Sequence, residues 1–519
     1  MPSPRQLLCF LLPGLLTLNT SATIHYVDLN CPNPTPPYTN WPTAATNIQD
    51  AVDVATGEIL VTNGVYRTGG HTYSATSNRV RAFGPITLRS VNGPAVTIIE
   101  GHQVPGTTNG DSAVRCVALA SGGTLIGFTL TNGATRAVNN TDGAGGGLLC
   151  AQAGVVSNCI ISGNAAYYGG GGVYGQFTVL NGCTLASNST YGSGGGLYGG
   201  TCSNCVFVGN SAREGGGAAG SLLNNCALIG NVASNGTTVA NGGGASGGAL
   251  NNCLVVGNKA YNGGGAYWSY LTNCTVVSNS ATLGGGVWPI LPASSSPSIL
   301  NSIIFYNTAS NGPNWYGGGN AWYCCTTPDI SPGSHAIFSI TNAAPQFDQS
   351  TGSLRLQSNS PCINAGKNTL RASGPDLDGN PRIVGGTVDM GAYEFQSPTS
   401  ILSYEWAQQY GLPTDGSADL LDTDGDGMNN WQECMTGTDP TNSSSLLKLF
   451  SPSNAAPGLL VSWQSVSPQR YFLERATNLL TQPAFVPIAS NIFAFTNSTA
   501  YNDTTATNPG SYFYRVGVQ

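Results

Sequence analysis

One phrase recurs through the middle of this chain, as "SNCIISGN", "SNCVFVGN", "NNCALIGN", "NNCLVVGN" and "TNCTVVSN". Aligned on the cysteine, the series runs Cys159, Cys183, Cys205, Cys226, Cys253 and Cys274, in steps of 24, 22, 21, 27 and 21 residues, with Gly127 beginning it and Ser302 continuing it. Two residues after each cysteine stand Ile161, Leu185, Phe207, Leu228, Val255 and Val276, and three residues before it Val156, Leu180, Cys202, Leu223, Leu250 and Leu271. Five residues on is an asparagine: Asn132, Asn164, Asn188, Asn210, Asn231, Asn258, Asn279 and Asn307. Columns that hold register while the connecting segments vary are the mark of stacked coils, each burying its inner face only against its neighbours. Glycine runs near 145, 170, 194, 215, 242, 263, 284 and 317 interrupt the repeats, which excludes a helical solenoid. The expected fold is all-β, a right-handed parallel β-helix.

Each column then has a physical role. Strand positions 0 and +2 point the same way, so the cysteines and the aliphatic residues face the core, where a small apolar thiol packs readily. Neighbouring coils bring these cysteines within disulfide reach, and bridges stay open to an exported chain. Cys202, in a column otherwise made of Val and Leu, favours unbridged packing. Cys324 and Cys325 fall outside the columns. The asparagines are expected at a turn, stacked about 4.8 Å apart with their amides bonded to one another. The glycine runs suit a corner where no Cβ fits, and no P-loop pattern follows them.

Only 8% of the 519 residues are charged and the net charge is -7, against about 25% charged in ordinary globular domains. Without clustered Lys and Arg, nucleic acid is excluded as a partner. "MPSPRQLLCFLLPGLLTLNTSA" reads as a signal peptide over 1–22, which predicts a secreted or cell-surface bacterial protein. No later run approaches the roughly 20 apolar residues of a membrane-spanning helix, so the mature chain is expected to carry no transmembrane segment.

The glycine runs paired with "FVGN" at Phe207–Asn210 resemble the repeats of bacterial polymorphic outer-membrane proteins. Upstream, "NIQDAVDVATGEILVTNGVYRTGG" and "ITLRSVNGPAVTIIEG" resemble the opening of pectin-lyase-like β-helices, which implies a short capping helix near Asn47 to Ala55 with Ile48, Ala51 and Val52 facing inward. Downstream, "PCINAGKN" and "DLDGNPRIVGGTVDMGAYEF" resemble the choice-of-anchor Q segment of bacterial secreted proteins. The polar residues there, Asp376, Asp378, Arg382, Asp389 and Glu394, read as a network closing the helix. The β-helix with its caps is assigned to residues 23–396.

From 397 to 445 the chain changes character, and "ILSYEWAQQYGL" reads as a short helix. "DTDGDGMNNWQE" fits the D-x-D-x-D-G-x5-E calcium loop. The hard cation Ca2+ needs six to eight oxygens, here from Asp422, Asp424, Asp426, the Met428 carbonyl and Glu433, with Asn430 near a water-mediated position and Gly427 at the sharp turn. Asp415, Asp419 and Asp439 are further candidates. The continuation "ECMTGTDPTNSSS" resembles thrombospondin type 3 and dockerin-like linkers, with Cys434 where an aromatic residue is more usual. Residues 446–519 alternate apolar and polar residues in "GLLVSWQ", "RYFLERATN" and "SYFYRVGV", which predicts a small β-sandwich similar to fibronectin type III.

Two functions are weighed. Between 117 and 335 the charged residues are Arg136, Asp142, Arg213, Glu214, Lys259 and Asp329, too few to supply the paired carboxyls of a glycosidase. Arg213 and Lys259 are the candidate bases for a polysaccharide lyase, the alternative reading. The residue after each glycine run should point inward and the next outward, placing Tyr174, Tyr198, Tyr267 and Trp288 along one outer face. An uncharged, repetitive, aromatic surface favours adhesion or glycan binding, with an extracellular polysaccharide or cell-surface glycan as partner.

Overall fold

The computed structural model describes residues 23–519, apart from 74, 121, 235–238, 290–297, 328–336, 342–343, 349–352, 358–359, 364, 385–387, 397–409, 414–415, 467–468, 481–482, 495–496, 508–509 and 519. The expected signal peptide, Asp329, Asp415 and most of the expected helix at 401–412 lie outside the described residues.

From His25 to Thr341 the chain winds as a parallel β-helix. A single coil supplies Val173–Tyr174, Thr178–Asn181 and Thr184–Ala186, which pair in parallel with Leu197–Tyr198, Thr201–Ser203 and Val206–Val208 of the next coil. The inner columns fall where the repeat puts them. Ile161, Leu185, Phe207, Leu228, Val255 and Val276 occupy successive rungs, as do Val156, Leu180, Cys202, Leu223, Leu250 and Leu271. None is more than 2% exposed. At about 1.5–3 kcal/mol for each fully buried aliphatic side chain, these columns are the main favourable term, and no coil gains it alone.

The asparagine ladder is continuous. Each Nδ2 donates to the Oδ1 of the next member, from Asn164 through Asn188, Asn210, Asn231, Asn258 and Asn279 to Asn307, at 2.9–3.0 Å. The same Oδ1 also accepts a backbone N–H, as Asn231 Oδ1 does from Asn210 at 3.0 Å, so a buried amide leaves no group unsatisfied. The ladder ends on Asn314, supplied by a loop. At its start the expected register is corrected by one residue. Phe128, not Gly127, fills the cysteine position, its N–H meeting Cys159 Sγ at 3.5 Å. Gly133, not Asn132, donates to Asn164 Oδ1, while Asn132 turns to Glu100. A bulky ring replaces the thiol there, which hid the column.

The column cysteines Cys159, Cys183, Cys205, Cys226, Cys253 and Cys274 are buried free thiols, and burial pushes Cys159 well above the ordinary thiol range. Cys324 corrects a second expectation. Its neighbour Cys325 pairs with Ile303, which puts Cys324 on the rung of Ser302, so it extends the column.

The residue before the cysteine bends the chain. Asn158, Asn204, Asn225, Asn252, Asn273 and Asn301 have φ between 45° and 56°, the left-handed region that asparagine tolerates better than other side chains. The glycine corners have a steric cause: a Cβ on Gly216 would lie 2.5 Å from the carbonyl oxygens of Gly243 and Val232.

The first coil is capped, and the flank of three later coils is clad. Helix α1, Ile48–Val54, is capped by Asn47 and buries Ile48, Gln49, Ala51 and Val52. The closing segment runs back along three coils by engaging those left-handed asparagines. Asn301 exchanges hydrogen bonds with Lys367, Asn273 with Ala372 and Asp389, and Asn252 with Pro375 and Arg382. Beyond it, helix α2, Asn430–Thr436, opens with an Asn429 capping box and ends at Gly437. The C-terminal part forms two three-stranded antiparallel sheets around Trp463, Tyr471, Val461 and Leu473. Among the described residues no helix is long and apolar enough to cross a membrane.

Candidate functional site

The outer position beside the glycine corner forms one vertical column. Tyr174 stands on the rung below Tyr198, followed by Ala219, Ser246, Tyr267 and Trp288. Its inner neighbours Val173, Leu197, Ala266 and Val287 are at most 1% exposed, which forces the aromatic residues outward by strand alternation. Tyr174 and Tyr198 are parallel, their centroids 4.9 Å apart and their planes within 4°. Tyr267 stacks on Trp268 at 5.3 Å and 7° and meets Trp288 edge-on at 5.4 Å. The two aromatic groups are separated by the small residues Ala219 and Ser246, so Tyr198 and Tyr267 lie three rungs, about 14 Å, apart.

Several participants escaped the sequence reading. Tyr167, Tyr168 and Tyr191 precede their glycine runs, in "YYGGGGVY" and "YGSGGGLY", and the corner folds both ends of each run toward one another. Tyr168 packs against Tyr174 at 6.2 Å and Tyr167 against Tyr191 at 5.5 Å. With Tyr174 and Tyr198 these rings line a cavity of about 350 Å³ that also takes in Asn139, Ser193 and Arg213. Tyr316 adds an edge contact to Trp288 at 4.8 Å. The signal was present as aromatic residues on both sides of a glycine corner. Burial, then Tyr198 and Tyr168, raise the Tyr174 phenol above its ordinary range, so its hydroxyl stays a neutral donor at physiological pH.

The two candidate bases are not brought together. Arg213 is on the rim of the tyrosine cavity, with only a loose, exposed contact to Glu214 at 3.8 Å, a geometry that contributes little stability. Lys259 is exposed and sits on the rung between Val232 and Ser280; it does not line that cavity.

Of the polar residues of the closing segment, Asp376, Arg382, Asp389 and Glu394 are buried and Asp378 is exposed. Arg382 donates to Asn252 Oδ1 and to the carbonyls of Gly391 and Ala392, and lies 3.7 Å from Glu394. Asp376 accepts from the N–H groups of Asp378, Asn380 and Glu394, while Asp378 pairs with Arg355. Burial, then Asp389, pushes the Glu394 carboxyl far above the ordinary range. Such groups fix the segment to the coil.

In the acidic loop the chain curls around its own carboxylates. Asp422 Oδ1 accepts from Gly425 at 2.7 Å and its Oδ2 from Gly427 at 2.9 Å, with Gly427 at φ 98°. Asp422, Asp424 and Asp426 bring carboxylate oxygens within 4.8 Å of one another. Four buried oxygens, Asp424 Oδ2, Asp426 Oδ2 and both of Glu433, receive no hydrogen bond. Glu433 lies outside the triad but close to it: burial, then Asp424, Asp426 and Asp422, push its carboxyl up to about 7. An unsatisfied buried carboxylate is costly, and a hard cation satisfies this donor set. Asn430 is a correction. Its amide accepts from Thr423 Oγ1 at 2.9 Å and donates to the Ala418 carbonyl at 2.8 Å, which turns it away from the loop to pin the first turn of α2.

No protein-family model and no curated protein sequence matches the chain. Among solved structures it is similar to a pectate lyase, Pel9A, at 14% identity and a TM-score of 0.41, over 72% of this chain and 96% of that one. It is also similar to the full-length tailspike protein 2 from Escherichia coli O157:H7 bacteriophage CAB120, at 10% identity and a TM-score of 0.26, over 84% of this chain and 55% of the tailspike. At these scores neither likeness carries an argument about ligands. The assignment of the fold rests on the strand pairing of the chain itself.

Proposed function

We propose that this is a secreted or surface-exposed bacterial β-helix protein that binds an extracellular polysaccharide or cell-surface glycan through its aromatic column. The observation that carries the reading is the tyrosine-lined cavity, walled by the parallel Tyr174 and Tyr198 rings and edged with amide and hydroxyl groups. Flat aromatic faces cover the apolar side of a sugar ring while nearby polar groups bond its hydroxyls, the combination general to small-molecule sites. Tyr267 and Trp288 extend the same face farther along the coil. In a test with purified chain and a panel of insoluble polysaccharides, retention without turnover is expected, weakened by Tyr198→Ala and by Tyr267→Ala or Trp288→Ala. Failure of the wild-type chain to bind any of them would end this reading.

Arg213 on the cavity rim favours one alternative, a polysaccharide lyase with Arg213 as base. In that case uronate polymers yield unsaturated products by absorbance and Arg213→Ala abolishes them.

We infer that the acidic loop holds calcium through Asp422, Asp424, Asp426, Glu433 and the Met428 carbonyl. The cation would neutralise the crowded carboxylates and stiffen the passage from the β-helix to the terminal sheets.

A further inference from the structure

Tyr191 is shared by two cavities. Its ring is 69% exposed, with the tyrosine-lined cavity on one side and a separate cavity of about 390 Å³ on the other. The lining of the second differs in kind. Ser189 and Ser211 stand on consecutive rungs, about 4.8 Å apart, and Thr190 and Ser234 join them. Thr108 and Asn109 also line it. Asn109 is 5% exposed, and its Nδ2 is tied to Thr135 Oγ1 at 3.1 Å and to the Thr135 carbonyl. That anchoring holds the side chain in one orientation. Among the described residues, no Lys, Arg, Asp or Glu lines the cavity.

We propose that this hydroxyl-lined cavity is a second glycan subsite, specific for an uncharged sugar residue, and that one oligosaccharide lies across Tyr191 with a residue in each cavity. The proposal rests on the glycan-binding reading above and adds where the chain of sugars runs and what the second residue must be. Alcohol and amide groups that donate and accept match sugar hydroxyls, and the exposed phenol ring supplies the apolar face. A carboxylate or sulfate carried into this cavity would lose water and find no cation, at a cost of several kcal/mol. Both volumes fall at the low end of the roughly 300–1,000 Å³ usual for small-molecule sites, enough for one sugar residue each. Two linked contacts strengthen one another, since the second becomes intramolecular.

The test is calorimetric titration of the full chain with neutral oligosaccharides of about four to six residues and with oligosaccharides carboxylated on every residue. Ser211→Val is the informative variant, because valine is the native residue on the next rung, Val232, so the coil accepts it. Ser211→Val is expected to weaken neutral oligosaccharides about tenfold, the loss of one desolvated hydrogen bond, and to leave the acidic ones unchanged. Tyr191→Ala should weaken neutral oligosaccharides further, since it removes the wall shared by both cavities. Neutral binding that falls with Tyr198→Ala but is untouched by Ser211→Val overturns the second subsite and leaves the glycan reading standing. Equal losses for neutral and acidic ligands overturn its selectivity. No binding of either class to the wild-type chain removes the glycan reading itself.

Discussion

A single asparagine side chain decides much of this fold. In the ladder, Asn231 Oδ1 accepts two hydrogen bonds from Asn210 and its own Nδ2 donates to Asn258. Asn231→Ala strands buried groups on both neighbouring coils, at about 1–3 kcal/mol for each group left unsatisfied, and urea unfolding should show a correspondingly lower midpoint with an unchanged slope. A second asparagine column acts through backbone geometry. Asn225 holds φ at 52°, so Asn225→Gly should be nearly neutral, whereas Asn225→Val should cost at least the 1–2 kcal/mol of a left-handed L-residue. Both columns stood in the sequence as "NC" and "xN", and the ladder was read correctly because its spacing from the cysteine is constant. The left-handed role of the first asparagine was missed because Gly127 and Gly182 also occupy that position, and two residue types with one backbone preference do not look alike as letters. The same limitation cost one residue of register at Phe128.

Single elements show where sequence motifs report chemistry well and three-dimensional docking poorly. The closing segment was read as a polar network, but nothing in its own sequence announced that it docks on Asn252, Asn273 and Asn301 of coils more than sixty residues upstream. Arg382 is the joint: it is 3% exposed and bonds Asn252 and two carbonyls of its own segment. Arg382→Met is expected to strip Asn252 Oδ1 and the Gly391 and Ala392 carbonyls of their buried donor, at about 1–3 kcal/mol for each group left unsatisfied, and limited proteolysis should then release the segment while the coils stay folded. The acidic loop makes a different prediction, set by pH. Because the Glu433 carboxyl is raised from 4.5 to about 7 in the ion-free fold, the folded chain binds a proton more readily than the unfolded one. Stability linked to Glu433 is therefore fully present below about 4.5 and is lost as pH rises to about 7. Melting in chelator should fall across that window, calcium should restore it near pH 7, and Glu433→Gln should flatten the pH dependence and reduce the response to calcium. A melting temperature indifferent to calcium at pH 7 would remove the cation from the account. Asn430 shows the limit of reading a loop by template, since the ninth position serves the helix start through Thr423 and Ala418.

At the scale of the whole molecule, the stacked coil makes distance along the outer face a matter of counting rungs. Tyr174 and Tyr198 are separated from Tyr267 and Trp288 by the rungs of Ala219 and Ser246. Removing residues 226–252 joins Asn225 directly to Cys253, an "NC" junction identical to the one it replaces, and deletes the Ser246 rung with its whole coil. Stability in such arrays is close to a sum over units and their neighbours, so the shortened chain should fold with its far-ultraviolet signature intact and melt only slightly lower. The Tyr198 to Tyr267 spacing would contract from about 14 Å to about 10 Å. If a glycan bridges both aromatic groups, its affinity should fall for ligands that fit the native spacing, while short ligands confined to the cavities around Tyr191 keep theirs, because those cavities lie on the undisturbed side of the deletion apart from Ser234. Equal affinity for long and short ligands in both chains would show that the two aromatic groups bind independently, and would confine the site to the coils around Tyr174, Tyr191 and Tyr198.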